Sequence, residues 1–158
     1  MPDILISIKP KYVDKILTHK KRFEFRTKIC KQKIEKLYIY SSYPICKIVG
    51  YAFVSSVISD TPQNLWKQTS EYAGISSANF FSYFNGRCTA FAYALDKVEI
   101  FDHPKTLADF GIKRPPQNFL YLTWFLKLCY LINTKFYAAC FLSSSLYWKH
   151  LYISSGTL

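Results

Sequence analysis

Nothing in this sequence pairs its cysteines with one another or with its histidines. The five cysteines (Cys30, Cys46, Cys88, Cys129 and Cys140) are odd in number and scattered without a CxxC step, and His19, His103 and His150 stand apart from them. That spacing excludes the usual zinc-ligand patterns. A disulfide framework belongs to short secreted chains. The thiols therefore read as reduced and mostly buried, and no metal or other cofactor is expected. The histidines lack a nucleophile at readable spacing, and GxSxG, HExxH, GxGxxG and P-loop patterns are missing, which excludes the enzyme classes that those patterns mark. No internal repeat is present. The first residues lack a charged segment followed by a long apolar stretch, so a signal peptide is not expected and the cytoplasm is the expected location. Acidic residues are missing from the last quarter: residues 119–158 carry three Lys/Arg and no Asp/Glu. An apolar run of bilayer length is missing too. Phe119 to Ile132 is apolar for 14 residues but holds Lys127, and a membrane-spanning helix takes about 20 residues, so a membrane is not an expected partner.

What the sequence does have is apolar and aromatic side chains. Of its 158 residues, 50% are hydrophobic and 18% aromatic, which excludes a disordered chain and supplies a core without staples. The length fits one domain with an appendage. The net charge is +11, unevenly placed: residues 1–50 hold 12 Lys/Arg against four acids, and residues 51–118 hold six against six. The excess sits between Lys9 and Lys36. Such a patch attracts polyanions, and neutralised phosphates supply most non-specific affinity for nucleic acid.

The apolar run Ile4 to Ile8 reads as a strand. Pro10 then opens a helix over Lys11 to Thr18, with Tyr12, Val13, Ile16 and Leu17 on its inner face; proline suits a first turn because its missing N–H has no partner there. Lys21 to Arg26 alternates, with Lys21, Phe23 and Phe25 on one side and Arg22, Glu24 and Arg26 on the other, a strand period. Residues 27–36 form a basic connector. Lys36 to Ser41 and Lys47 to Ser59 read as further strands, with Gly50 a bulge or close-approach point. Asp60-Thr61-Pro62 starts a helix to about Tyr72, which Ala73-Gly74 ends. Ser76-Ser77 starts a second short helix carrying Phe80, Phe81 and Phe84. Asn85-Gly86 marks a turn, and Cys88 to Phe101 is a final long strand. Strands and helices do not alternate regularly, which argues against a doubly wound parallel sheet. The expected class is α+β, a small, mostly antiparallel β-barrel with short helices plugging its side or end.

Several runs together resemble ASCH domains, in the PUA-like group, a family described as RNA-binding or transcriptional-regulator modules. They are Ile4 to Pro10 with Tyr12 and Lys15-Ile16-Leu17, then Lys20 to Arg26, Ile39 to Ser42, Ile48-Val49-Gly50, Leu65-Trp66, Glu71 to Ile75, Phe84, Gly86, Pro115-Pro116-Gln117 and Phe119 to Leu122. About three-quarters of the chain is covered, and Lys21 to Arg26 after a short helix is the most specific piece. The resemblance implies a PUA-like barrel over residues 1–122, with a cleft between barrel and helices that takes RNA or a modified nucleoside. The pattern stops near Leu122, so residues 123–158 read as an atypical apolar tail, helical or poorly ordered. Some members of the family hydrolyse the amide of acetylated cytidine with a lysine, a threonine and a glutamate. Matched onto this chain, the lysine falls on Lys21 and the glutamate on Glu71, while the threonine position holds Glu24, a departure.

On residue chemistry, Lys9, Lys20, Lys21, Arg22 and Arg26 can surround one end of the first two strands as phosphate and base contacts, Arg26 through a two-pronged donor. Glu24 reads either as a salt-bridge partner on its strand face or as an acceptor for the amino group of a base. Tyr40 and Tyr43 are candidate stacking rings, with Trp66 reading as a helix anchor. Ser41 and Ser42 are candidate phosphate donors. Three functions stay open: a regulatory RNA- or nucleotide-binding domain, an amidohydrolase using Lys21 and Glu71, and a protein-interaction domain of a regulator or an acetyltransferase.

Overall fold

The described residues of the computed structural model are 1–122; the tail from residue 123 lies outside them, as do Cys129, Cys140 and His150. Six strands form one mixed sheet: β1 (Asp3–Ile8), β2 (Phe23–Arg26), β3 (Lys36–Ser41), β4 (Lys47–Asp60), β5 (Ala90–Lys105) and β6 (Leu120–Leu122). Three helices accompany them: α1 (Pro10–Leu17), α2 (Pro62–Thr69) and α3 (Ser77–Tyr83). The strand order is β2-β5-β4-β3-β1-β6. Only β1 and β3 run parallel; the other four pairings are antiparallel.

The apolar run of β1 is explained by burial on both faces. Ile4, Ile6 and Ile8 join Val13 and Ile16 of α1, Leu37, Ile39 and Tyr93 in one core. Leu5 points the other way, into a second core with Tyr38, Tyr40, Ile48, Phe110 and Leu122. A third core, built from Phe25, Leu65, Ala73, Phe80 and Phe84, seats α2 and α3 against β2 and β5. The helix signals were local and act locally: Pro10 opens α1, the Thr61 and Ser76 hydroxyls accept from Asn64 N and Asn79 N, and α2 gives way to a single 3-10 turn over Ser70–Tyr72. Gly50 sits where β4 and β5 change register. A Cβ there would lie 2.2 Å from Glu99 O, a close approach that only glycine permits.

The expected barrel does not close. Among the described residues, β2 and β6 are the edge strands, and no ladder joins β2 to β1. The reason is strand length. β2 has four residues and pairs with β5 alone, and β6 covers β1 only over Asp3, Ile4 and Leu5. A side chain crosses the seam instead: Arg26 Nη2 donates to Ser7 O at 2.8 Å.

Candidate functional site

Where β1 ends and α1 begins, the chain builds a cavity of about 380 Å³ against β2 and α3. Its floor is assembled by a tight reversal. α1 ends at Thr18, His19 takes a left-handed backbone (φ 57°), and Lys21 N donates to Lys15 O at 2.9 Å. This turns the Lys21 side chain inward, 4% exposed. Lys21 Nζ donates to Ala73 O at 3.0 Å and lies 3.7 Å from Glu24 Oε2. It also sits over the rings of Phe25, at 4.5 Å, and Tyr12, at 5.6 Å. Gly74 packs on its stem: a Cβ at Gly74 would stand 2.5 Å from Lys21 Cβ, and its φ of +65° favours glycine regardless. The helix-ending Ala73-Gly74 pair thus also makes the seat of Lys21.

Glu24 receives a second cation. Arg26 Nη2 donates to Glu24 Oε1 at 2.8 Å while holding Ser7 O. The result is a buried Lys21–Glu24–Arg26 row, with Arg26 Nε also buried and without a hydrogen-bond partner among the described residues. Burial pushes the Lys21 amine below its ordinary value; Glu24 opposes that shift and Arg26 adds to it. A buried amine with its pKa lowered, beside a carboxylate, is an arrangement that acid–base sites use.

The walls complete the chemistry. Lys9 and Lys11 are exposed and line the opening, and Tyr12 offers a half-buried ring. α3 contributes Asn79, Ser82 and the 47%-exposed Tyr83, with Ile75 just before it. Cations, ring faces and amide or hydroxyl donors thus converge on one space. No group of three or more His, Cys, Asp or Glu that could hold a metal occurs among the described residues, and no helix among them is long and apolar enough to cross a membrane.

Of the residues expected from sequence, Lys9, Lys21, Glu24 and Arg26 come together here, and the others stand elsewhere. Arg22 precedes β2, so it leaves the strand alternation; it is exposed, stacking on the Tyr72 ring at 4.1 Å. Lys20 is exposed on the reversal. Glu71 is exposed on the 3-10 turn and does not line the cavity, so the carboxylate beside Lys21 is Glu24. Tyr40 is buried in the second core and Ser41, on the opposite face of β3, is 2% exposed, because both faces of the sheet are covered there. Ser42 N donates to Ile8 O at 2.9 Å, and Tyr43 is 84% exposed on the following turn. Trp66 anchors α2, its ring 4.8 Å from that of Phe80. Sequence reasoning missed Lys11, Ile75, Asn79, Ser82 and Tyr83 and assigned Tyr12 to the core alone. A signal did exist: Asn79, Ser82 and Tyr83 share one helical face at spacings of three and four, beside the apolar face of Phe80 and Phe84.

Comparison with known proteins follows the same outline. No family model matches the sequence. Over 132 residues the chain is 29% identical to an ASCH domain-containing ribonuclease of Zymomonas mobilis subsp. mobilis, covering 79% of this chain and 85% of that protein. It is 28% identical over 120 residues to a part of ATP synthase subunit alpha of Ureaplasma parvum and 27% identical over 90 residues to a part of large ribosomal subunit protein uL22 of the same species. The matched regions span only 15% and 29% of those two proteins. Among solved structures, ASCH from Zymomonas mobilis superposes with a TM-score of 0.75 at 23% identity, over 82% of this chain and 93% of that one. A mutant form of it gives 0.74 at 23% identity, over 80% and 94%. Over most of its length the sequence is similar to an ASCH domain-containing ribonuclease, and its described residues share the fold of ASCH from Zymomonas mobilis.

Proposed function

We propose that this chain binds single-stranded RNA, seating one nucleotide in the cavity between α1, β2 and α3. The observation that carries the reading is the buried Lys21–Glu24–Arg26 row at the floor of a cavity whose opening holds Lys9 and Lys11 and whose walls hold Tyr12 and Tyr83. Phosphate is drawn to the two exposed lysines, a base stacks on the rings, and Asn79 and Ser82 supply donors and acceptors for its edge. The homologue named as a ribonuclease supports RNA as the ligand.

A second step is favoured by Lys21 itself. Its amine, eased toward the neutral form by burial, takes the proton of a ribose 2′-hydroxyl. The 2′-oxygen then bonds to the adjacent phosphorus as the bond from phosphorus to the 5′-oxygen breaks. The products are a 2′,3′-cyclic phosphate and a 5′-hydroxyl that collects its proton from water. Lys9 and Lys11 offset the charge that builds on the phosphoryl oxygens.

The test is a titration of the full chain with end-labelled single-stranded RNA, read for both binding and scission. Contact of Lys9 and Lys11 with two phosphates implies a salt slope of about −1.4, so binding weakens about sevenfold between 50 and 200 mM salt. Lys21→Met loses scission, and RNA carrying a 2′-deoxyribose at the cut position binds but stays intact. Binding indifferent to salt, or to removal of Lys9 and Lys11, overturns the reading. Release of acetate from acetylated cytidine by the same protein would move the assignment to amide hydrolysis with Lys21 and Glu24.

A further inference from the structure

The cavity uses only part of the basic excess. Lys28, Lys31 and Lys33 on the connector are exposed, Lys36 opens β3, and none of the four is in an ion pair among the described residues. Lys36 leads to a second aromatic surface. Its Nζ stands 4.8 Å from the centroid of Tyr51 and 5.2 Å from that of Phe53. Both rings are half-buried on β4, with Lys36 and Phe53 paired across strands and Tyr51 opposite Tyr38. Tyr51 packs on the second core, on the sheet face turned away from α1 and the cavity. The platform is preset: Tyr38, 9% exposed, lies under Tyr51 with centroids 5.2 Å apart, and Phe101 flanks it at 6.0 Å. The neighbouring carboxylate of Glu99 is engaged by Lys97.

We infer that Lys36, Tyr51 and Phe53 form a second contact for single-stranded RNA, on the sheet face opposite the cavity. The occupant follows from the pairing of chemistries. A lysine held at the rings and outside any ion pair among the described residues calls for an anion, and two rings held at a sheet surface call for flat π partners. An acidic peptide meets the first demand only. This inference shares its ligand with the proposed function and adds a second footprint, so that long strands contact both faces of the sheet.

The experiment compares a 25-nucleotide unstructured RNA with a trinucleotide on the full chain, beside Lys36→Gln, Phe53→Leu and Phe53→Tyr. Phe53→Leu keeps an apolar side chain and removes the ring, and Phe53→Tyr restores the ring. Expected is a loss of about tenfold for the long RNA in Phe53→Leu, with recovery in Phe53→Tyr. Lys36→Gln lowers the salt slope by about 0.7, and trinucleotide binding stays unchanged in all three. Long-RNA affinity equal to wild type in folded Phe53→Leu and Lys36→Gln overturns the second contact and leaves the cavity reading standing. Loss in these variants while a Lys9/Lys11 double variant binds normally supports the second contact and overturns the cavity. Displacement of the long RNA by polyglutamate of matched charge, equally from wild type and Phe53→Leu, overturns it in favour of a plain anion surface.

Discussion

Lys21 and Arg26 flank the same carboxylate, yet their removal should have opposite consequences. Lys21→Met keeps a long stem against Gly74 and leaves Glu24 with its 2.8 Å bond from Arg26. What is lost is the bond to Ala73 O, about 1 kcal/mol. What is gained is relief from burying the amine. The net loss of stability should be no more than about 1 kcal/mol. Arg26→Leu strips Glu24 of its close partner and Ser7 O of its donor across the open seam. The carboxylate, 8% exposed, is left to a lysine 3.7 Å away. Orphaning one member of a buried ion pair costs about 3–5 kcal/mol, which moves a urea midpoint down by roughly 1.5 M or more. Urea melts of both variants at pH 7, read by far-ultraviolet circular dichroism, decide the matter, with RNA binding and scission measured beside them. Equal destabilisation by the two variants would make the row a structural network and remove Lys21 from the chemistry.

The pH dependence follows from the same amine. With the folded-state value of Lys21 below its ordinary 10.5, the unfolded chain binds more protons between those two values, so this group's contribution to stability rises as pH climbs through that window, and its penalty is fully present below it. Melts of Lys21→Met across that range should lose this rise; a slope unchanged from wild type refutes the assignment. Gly74→Ala forces a left-handed alanine against the Lys21 stem. It should cost about 2 kcal/mol or more and reduce RNA scission, measured by melts and gel assay; a neutral result would mean that Lys21 is not seated there.

Features set by neighbours in sequence were legible. Pro10 begins α1, Thr61 and Ser76 cap their helices, and Lys36–Ser41 has its strand bounds as expected. The alternation within Phe23–Arg26 placed Glu24 with Arg26. What escaped was set by distant partners. Nothing local says that β2 stops at four residues and leaves a seam for Arg26 to cross, since this depends on the pairing of β2 with β5, some 70 residues on. Tyr40 and Ser41 look available in sequence, and only the packing on the two faces of the sheet buries them. Glu71 and Asn79 exchange expected importance because the 3-10 turn after α2 carries the first outside the cavity and α3 carries the second to its wall.

The pairing of β1 with β6 has an architectural consequence. Asp3 and Leu122 are partners across strands, so the described chain enters and leaves this fold at one spot. A unit whose ends touch can be spliced into a host polypeptide, or appended to one, without prying the host apart.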